Sequence, residues 1–278
     1  MIHFAMPTLI ENHTLQDNID LCESLGLRFI ELNMNFPEYQ TDELQKTEKL
    51  IRAAEKAGIY YTIHLDENLN IADFNRLVSE AYLETVRQSI EVTRKLMGLR
   101  DCLDPEKRPL TLNMHMNPGI YITLPDRKVQ MYERDFETYM KAFASFRACC
   151  EEWIGAEDIR IAVENTDGFR SYEQEAVRYL LESPVFGLTW DIGHSKAVHE
   201  TDVPFITEHQ DRLIHFHIHD ATETPAKNHL ALGDGELDLA ARLGLAAQRN
   251  ARCVLETKTV EALKKSVAWL KEHQLWNV

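Results

Sequence analysis

Leu213-Ile-His-Phe-His-Ile-His-Asp220 alternates apolar side chains with three imidazoles and ends in an aspartate. The period of two and the content of branched and aromatic residues predict a strand over 212–220. His215, His217 and His219 then share one face of that strand. Strands of a parallel sheet are ordinarily apolar on both faces, so three imidazoles on one face indicate polar partners or ligands inside the fold.

Seven further β-rich runs along the chain alternate with stretches of helical period. The predicted strands are 2–8, 28–35, 60–66, 109–116, 160–166, 186–193, 212–220 and 251–258. The predicted helices are 14–25, 41–57, 73–97, 131–154, 173–183, 237–249 and 260–273, and the short connection between the sixth and seventh strands has the weakest helical pattern. Eight βα units predict an α/β protein built as a single (β/α)8 TIM barrel. No Gly/Ser-rich linker interrupts the pattern, so 1–278 is expected to be one domain.

The composition narrows the classes of partner. Lys and Arg number 30 against 45 Asp and Glu, a formal charge of -15, so neither nucleic acid nor an anionic membrane is an expected partner. The chain lacks a signal-peptide pattern and an apolar run long enough to span a membrane, which favours a cytoplasmic protein. The five cysteines are odd in number without a Cys-x-x-Cys pair, and we expect them to be reduced packing residues. A small-molecule substrate is expected, and the sequence is compatible with a homo-oligomer.

Polar side chains mark the ends of six successive predicted strands. In (β/α)8 barrels these C-terminal ends build the active site. The polar residues at these positions are His64, Asp66, His115, Glu164, Asn165, Asp191, His194, the three histidines of the opening stretch, Glu256 and Lys258, and the loop after the seventh strand adds His229. Uncompensated buried charge costs several kcal/mol or more. A divalent cation compensates it, and carboxylates with imidazoles suit Zn²⁺, Mn²⁺, Fe²⁺ or Co²⁺ better than the all-oxygen sets of Ca²⁺ or Mg²⁺.

Because three alternate residues of one strand cannot reach the same ion, we expect His215 and His219 to support the site rather than to bind metal.

Seven short motifs follow one another in a specific order. They are HLD at 64–66, HMNPG at 115–119, ENTDG at 164–168, WDIGH at 190–194, HIHD at 217–220, HLALGDG at 229–235 and LETK at 255–258. Each motif is individually short, but their order and spacing resemble those of the xylose-isomerase-like barrels, which include endonuclease IV and the sugar isomerases and epimerases.

The resemblance implies a set of ligands. Glu164, Asp191, His217 and Glu256 match the four-ligand metal site of the superfamily, and in its isomerases and epimerases two of these carboxylates, here Glu164 and Glu256, also move protons. The endonuclease IV branch has further ligands. His64 and His115 match two histidines that hold another zinc with the bridging glutamate, and His194 and His229 match two ligands of a third zinc.

Two departures from the endonuclease IV pattern affect the expected site. Lys227 stands where that enzyme has an aspartate, two residues before the match to His229, and an ammonium group repels a third cation. The segment 115–119 is two residues longer than the family's His-Pro-Gly, so the resemblance does not predict the structure of the loop after the fourth strand.

The sequence leaves two chemistries open. It slightly favours phosphoester hydrolysis of a small substrate, because His64 and His115 exceed what a one-metal isomerase requires; one or two Zn²⁺ ions would then be the cofactor. The alternative is isomerisation or epimerisation of a sugar or sugar phosphate with Mn²⁺ or Mg²⁺ and a Glu164/Glu256 proton-transfer pair. A non-catalytic sugar-binding barrel is disfavoured because the carboxylate and imidazole set is intact.

Three further residues are expected to contact the substrate: Lys227, Lys258 and Asn165. Lys227 would neutralise a phosphate where the third metal of endonuclease IV lies. The segment 120–127 is long enough for a lid carrying Tyr121 and Arg127, although an ordinary surface loop is favoured.

Overall fold

A computed structural model describes residues 2–276 and confirms the closed parallel barrel. The strands are β1 (Phe4–Pro7), β2 (Phe29–Asn33), β3 (Tyr60–His64), β4 (Leu110–His115), β5 (Tyr121–Thr123), β6 (Lys128–Gln130), β7 (Ile159–Glu164), β8 (Phe186–Asp191), β9 (Leu213–Ile218), β10 (Asp220–Glu223), β11 (Ala226–Leu230) and β12 (Arg252–Leu255). The barrel closes in the order β1-β12-β9-β8-β7-β4-β3-β2, and its neighbouring strands are parallel.

Helices lie between the barrel strands at the predicted places. They are α1 (Leu15–Leu25), α2 (Thr41–Leu44), α3 (Thr47–Ala57), α4 (Arg76–Leu103), α5 (Met131–Arg134), α6 (Phe136–Ile154), α7 (Ser171–Leu181), α8 (Ile192–Ala197), α9 (Val203–Glu208), α10 (Leu239–Gln248) and α11 (Val260–Glu272). The connection between β8 and β9 contains two short helices, which explains its weak periodicity. Within residues 2–276 no helix is both long and apolar enough to cross a membrane.

A side-chain cap determines where α1 begins, and a left-handed glycine determines where α3 ends. Thr14 caps α1 by accepting from the backbone N–H of Asp17, whose carboxylate in turn accepts from the Thr14 backbone N–H. Gly58 ends α3 with a φ of 67°, a left-handed conformation that glycine adopts without strain. The barrel strands are buried on both faces, with outward residues such as Trp190 and Phe216 packed in the core beneath the helices.

Two antiparallel hairpins lie where the sequence predicted loops or a continuous strand. Residues 120–130 form the β5–β6 hairpin. The predicted seventh strand, 212–220, ends at Ile218, because Asp220 already belongs to the β10–β11 hairpin. The buried Asp220 carboxylate accepts from the backbone N–H groups of Ala221, Gly233 and Leu237. The aspartate of the opening stretch therefore organises the loop after β11 and is no metal ligand in this arrangement.

The N-terminal end of the barrel contains a buried ion network. Arg252 is 1% exposed, and its guanidinium lies 3.1 Å from Asp104 Oδ2 and donates to the Tyr60 hydroxyl over 3.0 Å. Arg108 reaches the other oxygen of the same aspartate at 2.7 Å. At this end of the barrel one carboxylate therefore pairs with two guanidinium groups.

Candidate metal centre

The barrel register brings four predicted ligands to one point at the C-terminal end. His115 is the cross-strand neighbour of Glu164, and His217 is the neighbour of Asp191. One potential ligand atom each of Glu164, Asp191, His217 and Glu256 lie within 4.8 Å of one another. None of the four residues is more than 4% exposed. The side chains that the resemblance placed in one metal site are therefore close enough to share an ion.

Three buried atoms of this cluster have no hydrogen-bond partner: Glu164 Oε1, His217 Nδ1 and Glu256 Oε2. His217 Nδ1 lies 3.3 Å from Glu164 Oε2 and 3.6 Å from Glu256 Oε2. Buried polar atoms left without partners in this way are costly, and a divalent cation would satisfy the three atoms together. The donor set of carboxylate oxygen and imidazole nitrogen fits such an ion.

The electrostatics of the cluster agree with this interpretation. Burial alone would raise the pKa of Glu164, but the His217 and His115 imidazoles outweigh burial and hold that pKa well below its usual value. Burial alone would lower the pKa of His217, but Glu164, Glu31 and Glu256 raise it well above its usual value. The acids thus favour a positive charge at the imidazole, and a bound cation supplies that charge while displacing the proton.

His64 and His115 lie on the other side of Glu164. His115 Nε2 is 3.1 Å and His64 Nε2 is 3.6 Å from Glu164 Oε2. His64 Nδ1–H donates to the Leu65 carbonyl over 2.8 Å, so Nε2 is the ring nitrogen that faces Glu164. The structure therefore brings these two predicted ligands together with the glutamate.

His194 and His229 form a pair next to Asp191. Their Nε2 atoms are 3.4 Å apart, and His229 Nδ1–H donates to the Glu256 carbonyl over 3.0 Å. His194 Nδ1 has no hydrogen-bond partner and lies 3.5 Å from Asp191 Oδ2. His219 completes this group of imidazoles, but its Nδ1 accepts from the His229 backbone N–H over 2.7 Å and its Nε2 lies 2.9 Å from Asp191 Oδ1. With both nitrogens engaged, His219 orients the carboxylate, as expected of a supporting residue.

The two predicted substrate lysines differ in position. Lys258 Nζ lies 2.9 Å from Glu256 Oε1, with about half of its side chain exposed (49%). Lys227 is exposed on β11, in the hairpin opposite Thr222. Only the first lysine directly contacts one of the four predicted ligands in the described contacts of residues 2–276.

Asn165, a predicted substrate contact, lies in a buried hydrogen-bond network beside Asp191. Its side chain is fully buried, and its amide donates towards Asp202 Oδ2 at 2.7 Å, Ser195 Oγ at 3.0 Å and the Asp191 carbonyl at 2.9 Å. Its Oδ1 accepts from the Asp191 backbone N–H at 2.8 Å. Every polar atom of the amide is therefore engaged within the protein, and the Asn165 side chain holds the backbone of Asp191.

Sequence reasoning missed two residues of the centre, Glu31 and Asn113. The Glu31 carboxylate lies 2.8 Å from His217 Nε2 and 3.0 Å from His215 Nε2. The Asn113 amide donates to Glu164 Oε2. Both residues are fully buried, in strands whose other side chains are mostly apolar. An ionic or amide side chain in the middle of such a strand is the signal that would have revealed them.

A closed barrel with carboxylates and imidazoles gathered at its C-terminal end defines a TIM barrel with a candidate metal centre. The chain belongs to the xylose isomerase-like TIM barrel family, whose model matches residues 19–273.

Solved structures share this fold. A D-tagatose 3-epimerase-like protein is 18% identical with a TM-score of 0.73, and the match covers 98% of this chain and 97% of the other. The 3-keto-D-glucoside 4-epimerase of E. coli is 13% identical with a TM-score of 0.71 over 98% and 100% of the two chains. The D-allulose 3-epimerase of Methylomonas sp., solved with D-allulose, is 12% identical with a TM-score of 0.68 over 98% and 96%. A comparison with curated proteins finds no match.

Proposed function

We propose that the protein is a divalent-metal-dependent enzyme that isomerises or epimerises a sugar or sugar derivative. The observation that carries the proposal is the convergence of Glu164 and Glu256, each with one unpartnered buried oxygen, on Asp191 and His217. The structural neighbours named as sugar epimerases support this chemistry over hydrolysis. The histidines in excess of a one-metal site, taken from the sequence alone, favour the opposite order.

Glu164, Asp191, His217 and Glu256 would hold the cation, which, when bound, polarises carbonyl and hydroxyl oxygens of the substrate. In this isomerase assignment the cation is Mn²⁺ or Mg²⁺. His194 and Lys258 border the four ligands and would position hydroxyl or phosphate groups of the substrate.

The two glutamates are arranged for proton transfer. The Asn113 amide donates to Glu164 Oε2 and the Lys258 ammonium donates to Glu256 Oε1, so both carboxylates are held in place. The pair would share one proton: the ionised member takes a proton from the carbon next to the substrate carbonyl and the protonated member returns one, each through an oxygen that does not bind the cation. β7 and β12 are separated by β8 and β9 around the barrel, so the two carboxylates approach the substrate from different sides.

Hydrogen exchange at carbon tests the proposal. With Mn²⁺ in D₂O, we expect the protein to incorporate deuterium next to the carbonyl of at least one ketose from a panel including D-tagatose and D-allulose. Glu164→Gln and Glu256→Gln should each lower this exchange by about 10²- to 10⁴-fold, the contribution of a positioned acid or base. Glu173→Gln, which alters a buried glutamate bonded to Arg170, serves as the control and should retain the exchange. Exchange that persists in both catalytic variants would overturn the proton-transfer roles.

One observation favours a second candidate, the hydrolysis of a small phosphoester. His64 and His115 form a further cluster with Glu164 whose potential ligand atoms lie within 4.8 Å of one another. Two cations sharing Glu164 would suit phosphoester chemistry, with Zn²⁺ as the expected metal. Elemental analysis of protein purified without chelator separates the candidates. Two tightly held zinc ions per chain, with turnover of bis-nitrophenyl phosphate that is lost in His64→Gln, would favour hydrolysis; one exchangeable ion without turnover would favour the isomerase.

A further inference from the structure

Glu31 is a fully buried carboxylate that the proton-transfer scheme does not use. It extends from β2 across the barrel interior to β9, which is three strands away in the barrel order. Its Oε1 lies 2.8 Å from His217 Nε2, and its Oε2 lies 3.0 Å from His215 Nε2 and 3.1 Å from Thr62 Oγ1. One carboxylate thus joins two of the three histidines of the opening stretch to the opposite side of the barrel.

These contacts determine where the protons lie. An ionised carboxylate only accepts hydrogen bonds, so the Nε2 atoms of His215 and His217 both carry hydrogens. A neutral imidazole that is protonated at Nε2 has its lone pair at Nδ1. In His217 this is the unpartnered atom that faces Glu164 and Glu256. In His215 the corresponding Nδ1 lies 3.4 Å from the Thr111 hydroxyl, which can donate to it.

The geometry points to Glu31 as the positioning residue of the metal centre: we infer that it fixes the tautomer and the ring orientation of His217 so that Nδ1 binds the cation. This inference rests on the proposed metal-dependent function and adds a residue on β2 to it. Metal-binding histidines commonly donate their other ring N–H to a carboxylate, and loss of that partner costs about 10- to 100-fold in metal affinity. His215 holds the second oxygen of Glu31 and so keeps the carboxylate aimed at His217.

Glu31→Gln tests the inference. The glutamine has a single oxygen, so it accepts from only one of the two Nε2–H groups and turns its own N–H groups towards the other. We expect the Kd of the full-length protein for Mn²⁺ or Zn²⁺, measured by titration calorimetry, to rise about 10- to 100-fold. The matched control is Glu173→Gln, because Glu173 is equally buried but its carboxylate is bonded to Arg170 instead of an imidazole. The control should keep the wild-type Kd whatever its effect on thermal stability.

A measurement on the unmodified protein makes the inference independent of how well the variants fold. Long-range ¹H–¹⁵N spectra of the Zn²⁺-loaded wild type should show His217 protonated at Nε2 and bound to metal through Nδ1. Metal on Nε2, or a Kd for Glu31→Gln within twofold of wild type, overturns the role of Glu31 and leaves the proposed function standing. A wild-type protein that binds neither Mn²⁺ nor Zn²⁺ overturns both.

Discussion

At the residue scale, each ligand of the candidate centre has a partner that fixes its orientation. Asn113 holds Glu164, His219 holds Asp191, and Lys258 holds Glu256. Such partners orient ligands and proton-transfer groups before substrate arrives, which is how active sites avoid reorganisation during the reaction. The partners are therefore as informative to mutate as the ligands.

Lys258→Met should impair turnover. The substitution keeps an apolar stem but removes the ammonium 2.9 Å from Glu256 Oε1, so the carboxylate loses its fixed orientation. We expect kcat to fall about tenfold, measured as ketose exchange, because misplaced catalytic groups lose rate steeply. Lys264→Met alters an exposed lysine on α11 and should leave kcat unchanged. Equal effects of the two substitutions would contradict a specific role for the Lys258 contact.

Asn165→Ala should act on stability rather than on substrate affinity. It removes the amide that bonds Asp202, Ser195 and the Asp191 backbone, and each buried group left unpaired costs about 1 to 3 kcal/mol. We expect the free energy of unfolding in urea to fall by about 2 to 4 kcal/mol. Asn68→Ala, at an exposed asparagine, is the control. A raised KM with unchanged stability would instead restore the substrate contact expected from the sequence.

Residues at strand ends were predictable and residues inside strands were not. Glu164, Asp191 and Glu256 follow directly after apolar runs. The order of the motifs then predicts that they are metal ligands. Glu31 and Asn113 lie within their strands. Which partner such a side chain meets depends on the stagger of strands across the barrel interior, which the pattern of a single strand does not contain.

At the element scale, the start of α8 fits against β9 because residue 193 is glycine. A Cβ built on Gly193 would lie 1.9 Å from Cε1 of His219, the ring that orients Asp191. The short motif WDIGH therefore combines a ligand with the space that its supporting histidine needs. This packing requirement explains the glycine without any special backbone conformation.

Gly193→Ala should displace His219 and weaken the centre. We expect the Kd for Mn²⁺ to rise about tenfold, as for loss of a ligand's orienting partner, and the overpacked site to lose about 1 to 3 kcal/mol of stability. The matched control is Gly244→Ala in α10, where a Cβ would meet no atom within 4 Å. That control should stabilise the protein by about 0.5 to 1 kcal/mol. Unchanged metal affinity in Gly193→Ala would show that His219 does not support Asp191.

The barrel strands and long helices were predictable because their periodicity is strong. The two hairpins were not. β5 and β6 have three residues each, and the β5 residues are all exposed, so no alternation of buried and exposed positions marks them. The end of β9 at Ile218 depends on the backbone contacts of the Asp220 carboxylate, which no local pattern reveals.

At the scale of the whole molecule, the two ends of the barrel differ in whether their buried charged groups have partners. The N-terminal end pairs Arg252 and Arg108 with Asp104, while the C-terminal end leaves acids and imidazoles with unpartnered atoms. The N-terminal end thus contributes to stability and the C-terminal end holds the proposed active site, which is the usual division in this fold.

The N-terminal end predicts a pH dependence of stability. Burial lowers the pKa of His3 from 6.5 to about 4, with Asp104 opposing and Arg108 and Arg252 adding to the shift. The unfolded chain binds a proton at His3 below about pH 6.5, whereas the folded protein binds it only near pH 4. The free energy of unfolding therefore falls as the pH drops through this window. The contribution of His3 to this fall is at most about 3 kcal/mol.

Urea unfolding between pH 7 and pH 4 in wild type and His3→Gln measures this contribution as a difference. In the variant, the slope of the free energy of unfolding against pH should decrease by the contribution of about one proton. His199→Gln, at an exposed histidine, is the control for removing an imidazole. Parallel curves for wild type and His3→Gln would contradict the prediction.

The account depends on a cation among the acids and imidazoles at the C-terminal end of the barrel. The direct test is anomalous diffraction from chelator-free crystals soaked in Mn²⁺ and measured at the manganese edge. We predict a peak in contact with Glu164, Asp191, His217 and Glu256. The absence of a peak there, with these side chains turned into ordinary ion pairs or towards water, would contradict the account.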